Sequence, residues 1–358
     1  MKIAIVLPPR FTFDRAMPNS IETVVRTLNR YSRYRAEITV IADEGADQHG
    51  DLTVLTVPAE RNRWRRTAHV IEALREIGPD LLELHQHAPT ARRIARALPG
   101  IPSLFYRHNY VKPPSGWFRR WRHRRRNQEF DAHVFVSKVA RDAFAAAFPE
   151  FGGTSHAILN GVEIADWHAE PDPARRLIAY AGRAAPEKGF GEFCAAVDRV
   201  LDAHPDWSAG IYGSAWTTHG AWAEAQVASL ERFGARVEIA RNQPLDAVQA
   251  LLARAAIVAV PSHIFESFGL AAVEAHAAGA AVISSGRGGL REASGPHASY
   301  VDPITPGSLA AAITALIQDP DERLRLARDG QAHAVSNHSA AARAAELDAL
   351  RTRMVSAT

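Results

Sequence analysis

Short hydrophobic runs typical of β-strands alternate with amphipathic helical segments from one end of this 358-residue chain to the other. The alternation runs through twice, once on each side of the turn-like segment ILNGVEIADW (158–167). Strand–helix–strand units repeated in this way predict parallel sheets with helices on both faces. A chain of this length also exceeds what one hydrophobic core usually supports. We therefore predict an α/β protein made of two doubly wound, Rossmann-like domains.

The predicted elements divide the chain into three parts. The strands fall at 2–7, 37–42, 51–57, 80–85, 103–107 and 132–137 in the first half, and at 177–182, 209–213, 236–240, 257–262, 281–285 and 299–301 in the second. Among the helices, 20–31 is preceded by Asn19, which stands in capping-box spacing with Glu22. The final segment 338–355 is one more helix, long enough to cross back onto the first domain. The predicted domains are 1–160 and 161–337, with 338–358 packing on the first.

Composition excludes several classes of protein. A content of 47% hydrophobic and 23% charged residues is that of a globular chain, not a disordered one. Cys194 is the only cysteine, so no internal disulfide can form. The first apolar run is short and ends at Pro8, unlike a signal peptide, and no apolar run approaches the roughly 20 residues of a membrane span. We therefore expect a cytoplasmic protein.

A loop with two cations follows the strand 177–182. It reads GRAAPEKG, from Gly182 to Gly189, and a helix is predicted to open at Phe190. Arg183 as a forked donor and Lys188 as a point charge suit a diphosphate. A solvated turn with a chance arginine and lysine is the alternative, although Lys188 is one of only four lysines in the chain. The dinucleotide fingerprint, the Walker loop and the nucleophile elbow are all absent from the sequence. Dehydrogenases, P-loop enzymes and hydrolases, which commonly have a doubly wound sheet, are therefore disfavoured.

The segment PSHIFESFGLAAVEAHAAG (261–279) carries two glutamates eight positions apart, Glu266 and Glu274. We predict that its helix begins near Ser267, which leaves the backbone N–H groups of 268–270 free at the positive end as an anion site. Glu274 then lies on the order of 12 Å along the helix axis from Glu266. A phosphate bound at these N–H groups would have the carboxylates of Glu266 and Glu274 on either side, and carboxylates bind hydroxyl groups well. The alternative is a capping Glu266 and a surface Glu274.

These motifs together resemble the donor domain of the retaining glycosyltransferases of family 4. The shared pattern is GR-x3-EKG, then PS-x3-E-x-FG-x4-EA-x3-G, then the glycine pair Gly288–Gly289. The resemblance extends over essentially the whole chain, including the hinge 160–162 and the final helix. It implies the GT-B fold, in which the two domains face each other across a cleft.

The resemblance also implies roles for individual residues. Arg183 and Lys188 neutralise the leaving diphosphate, Glu266 holds hydroxyls of the donor sugar, and Glu274 binds the ribose. His108, in FYRHNY, corresponds to a histidine near the donor sugar. The further donor contacts that we expect are Gly182, Phe268, Gly269 and Leu270. The implied chemistry uses no cofactor, no metal and no protein nucleophile.

Two loops depart from the family pattern. The loop after the first strand, within 8–22, has no glycine where family members often carry a pair, and we expect Asn19 and Ser20 to supply its substrate contacts. The loop 241–243 after the strand 236–240 also lacks a common glycine. The acceptor and the nucleobase are therefore left open.

A strongly basic, aromatic segment occurs at Trp117–Arg126, WFRRWRHRRR, in a chain of formal charge +3. Arginines interleaved with aromatic residues suit a helix on an anionic membrane surface. A solvated helix is the main alternative, and nucleic acid is disfavoured because no binding module accompanies the segment.

Two acidic or histidine motifs are interpreted as structural. Asp319-Pro320-Asp321 imitates a metal-binding motif, but it fits a helix N-terminus with Asp319 as N-cap and Pro320 as the first helical residue. His85-Gln86-His87 is a candidate metal pair without a third ligand nearby in the sequence.

The sequence therefore predicts a retaining hexosyltransferase that moves a sugar from a UDP- or GDP-linked donor to a glycan or lipid-linked glycan, in bacterial surface polysaccharide assembly. It is expected to act in the cytoplasm, with an association to the inner membrane face. Two alternatives remain open. One is a nucleotide-sugar epimerase on the same fold, and the other is a non-catalytic, basic peripheral membrane protein.

Overall fold

The structure of the protein is a computed structural model that describes residues 1–14, 19–45, 52–112 and 114–357. It divides the chain into two units, Met1–Gly161 together with Ala340–Thr358, and Val162–Ser339. The chain therefore passes between units at residues 161 and 339, one and two residues beyond the boundaries expected from the sequence. Each unit is a doubly wound α/β domain, as predicted.

In the first unit every strand pairs with its neighbours in parallel, in the order β3-β2-β1-β4-β5-β6-β7. Its strands are β1 Ile3–Val6, β2 Ile38–Asp43, β3 Thr53–Val57, β4 Leu81–His85, β5 Ser103–Arg107, β6 Ala132–Phe135 and β7 Ser155–Ala157. Its helices before the crossing are α1 Ser20–Arg30, α2 Arg63–Ile77, α3 Ala88–Ala97, α4 Trp117–Asn127 and α5 Lys138–Ala147. The short strand β7 was not predicted, because SHA offers no hydrophobic run.

Side chains alternate between the two faces of this sheet, so each face has its own core. Ile3 and Ile5 pack on one face with Val25 of α1. Ala4 and Val6 pack on the other face with residues of α2 and α3. Because helices cover both faces, β1 and its neighbours read as nearly continuous hydrophobic runs.

The second unit repeats this arrangement with the parallel order β10-β9-β8-β11-β12-β13. Its strands are β8 Leu177–Arg183, β9 Ser208–Ser214, β10 Val237–Arg241, β11 Ile257–Val260, β12 Ala281–Ser284 and β13 Ala298–Tyr300. Its helices are α6 Ile164–Trp167, α7 Phe190–Ala203, α8 Trp216–Val227, α9 Leu245–Arg254, α10 Leu270–Ala277, α11 Leu290–Ser294, α12 Pro306–Gln318 and α13 Pro320–His338.

Three predicted helix starts are confirmed. The Asn19 side chain accepts hydrogen bonds from the N–H groups of Ile21 and Glu22, and Glu22 accepts one from the Asn19 N–H, which completes the capping box. α7 begins at Phe190. Asp319 caps α13 by accepting the N–H of Glu322 at 3.0 Å, with a proline as the first helical residue.

The last helix, α14 Ala340–Ser356, belongs to the first unit and is anchored by a buried charge cluster. Arg351 is fully buried and donates to Glu83 of β4 at 2.6 and 3.0 Å, and to Asp348 at 3.0 Å. Asp348 in turn accepts from the Ser32 hydroxyl at 2.7 Å and from the Arg33 N–H at 2.8 Å. The cluster joins the C-terminal helix to β4 and to the end of α1.

Arg351→Met should destabilise the protein strongly, because it leaves the buried carboxylates of Glu83 and Asp348 without their cation. We expect a loss of about 3–5 kcal/mol in the free energy of unfolding. Thermal or urea denaturation of the full chain measures it. The matched control is Arg353→Met, an exposed residue of the same helix, with an expected change within about 0.5 kcal/mol. Equal stability of the two variants would show that the cluster does not anchor α14.

Candidate functional site

The strand order of the second unit places a crevice at the carboxyl ends of β8 and β11. From β8 the chain builds β9 and β10 on one side, then crosses to build β11 to β13 on the other. Ligands of open α/β sheets bind at such a switch point. The cationic loop follows β8 and the segment with Glu266 and Glu274 follows β11, so the two predicted motifs meet at this crevice.

Backbone contacts hold the two loops together. The carbonyl of Glu187 accepts the N–H of His263 at 3.0 Å and the Ser262 hydroxyl at 3.4 Å. Gly189 lies between them with φ +70°, and a Cβ at this position would come within 2.0 Å of the Pro261 carbonyl oxygen. Only glycine therefore allows the cationic loop to approach β11 this closely.

Lys188 and Glu266 form an ion pair across the two loops. Their side chains are 21% and 16% exposed, so the pair is largely buried but open on one side. The sequence predicted separate roles for the two residues, a phosphate contact and a hydroxyl contact. The structure brings them together, and a separation of 78 residues gave no local signal for the pairing.

Arg183 ends β8 beside this pair and makes an ion pair of 3.0 Å with Glu187, one turn further along the loop. A hydrogen bond from the backbone of Glu187 and the nearby Arg183 lower the pKa of the Glu187 carboxyl, so this partner is ionised. The buried Tyr180 donates its hydroxyl to the Arg183 carbonyl at 2.7 Å and lies against Gly182. The guanidinium itself is about half exposed, with a relative accessibility of 46%.

The predicted start of the glutamate helix near Ser267 is wrong, because α10 begins at Leu270. Glu266 instead forms a parallel bridge with Gly288, and its carbonyl accepts the Gly289 N–H at 2.8 Å. Phe268 is buried and contributes no helical turn. The residues before Leu270 are thus held in extended or irregular backbone by the glycine pair.

The start of α10 presents free backbone donors. Gly269 is the N-cap, with φ +121° and no side-chain cap. Among the described residues, the N–H groups of Leu270 and Ala271 have no acceptor. Of the three predicted N–H contacts, Leu270 therefore lies in the first turn, Gly269 caps it, and Phe268 precedes it.

Glu274 lies on the second turn of α10 and is partly buried. Its carboxyl group makes no hydrogen bond or ion pair with any described residue. Burial raises the pKa of this carboxyl to about 7. The axial distance of 12 Å from Glu266 does not apply, because Glu266 lies outside the helix and Leu270 is only about 6 Å of helical rise from Glu274.

The first unit holds His108, directly after β5, at the end of a hydrogen-bonded chain. His108 Nε2 lies 2.8 Å from His85 Nδ1, and His85 Nε2 lies 2.9 Å from the Glu83 carboxylate. The backbone N–H of His108 donates to the side-chain oxygen of Gln86 at 3.0 Å. The rings of His85, Tyr106 and His108 stack with centroids 4.9 to 5.0 Å apart. The sequence missed this chain, although Glu83 and His85 are two apart on one strand and so share a face.

Three further positions that the sequence singled out, Asn19, His87 and Asn242, have structural roles. Asn19 and Ser20 are exposed at the start of α1, where the side-chain oxygen of Asn19 is committed to capping; residues 15–18 of the same loop lie outside the described residues. His87 contacts Thr90 at 2.9 Å, and no three metal-ligating side chains converge anywhere in the described part of the chain. Asn242, in the loop that lacks glycine, has φ +50° and so adopts the conformation that glycine favours.

The basic segment forms α4, as predicted. Trp117 is 81% exposed, Phe118 54% and Trp121 48%, although all three are aromatic. The helix has no acidic residue, and Arg125 lies over the Trp121 ring. No described helix combines the length and hydrophobicity that a membrane crossing requires.

Comparison with known families identifies both halves of the chain. The model described as glycosyl transferases group 1 matches residues 163–333, and the model of glycosyltransferase family 4 matches residues 21–166. The chain belongs to glycosyltransferase family 4. The two matches together extend over both units. They include the loops after β8 and β11 in the second unit and the hydrogen-bonded residues Glu83, His85 and His108 in the first.

The curated relatives match this chain over only part of their own length. A D-inositol 3-phosphate glycosyltransferase from Segniliparus rotundus is 35% identical over 167 residues, which are 46% of this chain and 37% of the relative. The lipopolysaccharide core mannosyltransferase LpcC from Rhizobium leguminosarum is 26% identical over 276 residues, 64% of this chain and 78% of LpcC. The chain thus spans less than half the length of the first of these curated relatives.

The fold is shared with solved GT-B glycosyltransferases. Anabaena HepE, crystallised with UDP-glucose, superposes with a TM-score of 0.80 at 18% identity, over 99% of this chain and all of HepE. This similarity confirms the GT-B fold predicted for the family 4 chain.

Glu274→Gln should raise stability at about pH 8 and change it little near pH 5. Because the pKa of Glu274 is raised to about 7, the folded state binds more protons than the unfolded state between about 4.5 and 7, and stability is lost as the pH rises through this window. The Glu274→Gln variant has no ionisable group at this position, so its stability does not fall in this way as the pH rises. Melting temperatures across this pH range measure the effect.

The control for this variant is Glu231→Gln, an exposed residue of the same unit, for which we expect no pH-dependent difference from the unmodified protein. If Glu274→Gln followed the pH profile of the control, the carboxyl of Glu274 would not be held in a desolvating position.

Proposed function

We propose that this chain is a retaining, metal-independent glycosyltransferase that uses a UDP- or GDP-linked sugar and transfers the sugar to a glycan or lipid-linked glycan. The observation that carries the proposal is the ion pair of Lys188 with Glu266, on the segment that leads into α10, whose first N–H groups have no acceptor among the described residues. A cation, a carboxylate and helix N–H donors at one switch point match the parts of a sugar diphosphate.

The diphosphate is the leaving group, and its charge grows as the bond to the sugar breaks. Lys188, Arg183 and the N–H groups of Leu270 and Ala271 are donors that stabilise such charge. Donors fixed in place before the reaction give the largest part of the rate enhancement in this kind of catalysis. A bound diphosphate competes with Glu266 for Lys188, and this competition frees the Glu266 carboxylate for hydroxyls of the sugar.

Glu266 and Glu274 then have different tasks. Glu266 contacts the sugar, so its loss reduces turnover and alters the choice of sugar. Glu274 lies on α10, and its carboxyl has no partner among the described residues. It accepts hydrogen bonds from the ribose hydroxyls, so its loss weakens nucleotide binding. This second interaction needs the ionised carboxylate and therefore strengthens as the pH rises through about 7.

Retention follows if the acceptor attacks from the face that the diphosphate leaves. A diphosphate oxygen takes the acceptor proton, so the reaction needs no protein nucleophile. His108 contributes a contact to the donor sugar. HepE was crystallised with UDP-glucose, and this supports a nucleotide sugar as the donor of the present chain. LpcC is named a lipopolysaccharide core mannosyltransferase, which supports a glycan acceptor in surface polysaccharide assembly.

At least one of UDP, GDP and ADP should raise the melting temperature of the protein, and Lys188→Met should remove most of this rise. With a nucleotide sugar that is turned over, Lys188→Met should lower the rate by about 100-fold or more, as found when single charge-stabilising donors are removed elsewhere. Differential scanning fluorimetry and release of the nucleoside diphosphate measure the two effects.

The matched control is Lys138→Met on α5 of the first unit, which should keep both the nucleotide shift and the turnover. The donor site would be refuted if none of the three nucleotides shifted the melting temperature. Activity retained in a Glu266→Ala, Lys188→Ala double variant would place the chemistry elsewhere.

A nucleotide-sugar epimerase would convert its substrate without any acceptor, so incubation of the donor alone separates the two enzyme classes.

We further propose that α4 binds an anionic membrane surface on the cytoplasmic side, where a lipid-linked acceptor is held. Trp117, Phe118 and Trp121 are large aromatic side chains exposed among arginines. Burial of such rings at the lipid interface, combined with attraction to anionic headgroups, is the basis of interfacial helix binding.

The protein should bind vesicles that contain phosphatidylglycerol and should not bind vesicles of phosphatidylcholine alone. A Trp117→Ala, Trp121→Ala double variant should weaken binding to the anionic vesicles by at least about tenfold, because each buried ring contributes more than 1 kcal/mol. Vesicle flotation measures it. The control is Trp64→Ala, an exposed tryptophan on α2. Equal binding of both variants would exclude α4 as the contact surface.

A further inference from the structure

A buried chain of hydrogen bonds lies behind His108, and we call Glu83, His85, His108 and Arg351 the histidine relay. The His85 side chain is 1% exposed and that of Glu83 is 1% exposed, whereas His108 is only partly buried. Arg351, from the C-terminal helix, closes the inner end of the relay on Glu83. The outer end is the ring of His108, whose Nδ1 has no partner among the described residues.

The inner end of the relay determines where the protons are. Burial opposes the ionisation of Glu83, but Arg351 and the hydrogen bond from His85 outweigh it and lower the pKa of Glu83 to about 2. Glu83 is therefore a carboxylate and accepts, so His85 Nε2 carries a hydrogen. In neutral His85 the other nitrogen, Nδ1, is then an acceptor. The 2.8 Å contact consequently requires His108 to donate from Nε2.

We propose that Glu83 and His85 are positioning residues that hold His108 as the Nε2–H tautomer, so that its Nδ1 accepts a hydrogen bond from a hydroxyl of the donor sugar. The inference rests on the proposed function of the chain, because it assigns the donor sugar to the open side of His108. A histidine without such a partner would distribute between its two tautomers and would present a donor for part of the time.

The tautomer itself can be measured without any activity. Two-dimensional 15N NMR of histidine-labelled protein, with His85 and His108 assigned through His85→Asn and His108→Asn, reports which ring nitrogen carries the hydrogen. At about pH 8 we expect Nε2–H in both rings. Nδ1–H in His108 at this pH would overturn the proposal, whether or not the protein proves to be a glycosyltransferase.

Kinetics test the consequence for the sugar. His85→Phe keeps the ring stack and removes both hydrogen bonds. With UDP-glucose or GDP-mannose, whichever is turned over, it should lower kcat/KM by roughly tenfold, the size of one lost hydrogen bond at a reacting group. Affinity for UDP or GDP alone should be unchanged, since these ligands lack the sugar.

A double-mutant cycle separates positioning from a general structural effect. In a His108→Ala background, His85→Phe should reduce kcat/KM by less than about twofold further, because both changes remove the same contact. His133→Phe, a fully buried histidine of the neighbouring strand β6, is the matched control and should leave kcat/KM near that of the unmodified protein. Additive losses or an equal loss of nucleotide affinity would overturn the proposal. If His85→Phe does not fold, the NMR measurement on the unmodified protein decides.

Discussion

Parallel pairing of every described strand is the constraint on which the rest of this structure depends. It sends all carboxyl ends of a sheet to one edge, so the loops after the strands share one side of each unit. The loops after β8 and β11 meet there in the second unit, and those after β4 and β5 meet in the first. Residues far apart in sequence, such as Lys188 and Glu266, become neighbours for this reason.

The crevice of the second unit is shaped by close backbone approach as much as by charge. Gly189 allows the cationic loop to reach Pro261, and Gly288 allows the next turn to lie against Glu266. These contacts replace the first helical turn that the sequence suggested and keep Glu266 outside the helix. Its carboxylate can therefore pair with Lys188, while the N–H groups of Leu270 and Ala271 at the start of α10 have no acceptor in the described part of the chain.

In the first unit, stability and chemistry depend on the same buried charges. Arg351 anchors the C-terminal helix to β4 through Glu83, and Glu83 in turn orients His85 toward His108. A buried carboxylate between a guanidinium and an imidazole satisfies both of its oxygens, which explains why such charges are tolerated in the core. The C-terminal helix α14 is thus linked by hydrogen bonds, through Glu83 and His85, to His108, the residue proposed to contact the donor sugar.

The sequence by itself determined the fold class, the positions of the strands along the chain with the exception of β7, the capping of α1 and α13, and the family. These properties depend on local patterns: hydrophobic periodicity, capping spacing, and a motif whose residues lie close together in the chain. Only the tertiary structure decided where α10 begins, that Lys188 pairs with Glu266, and that His85 links Glu83 to His108. The reason is that each of these outcomes is set by a partner from another segment, and local propensity contains no information about which distant backbone or charge will arrive beside it.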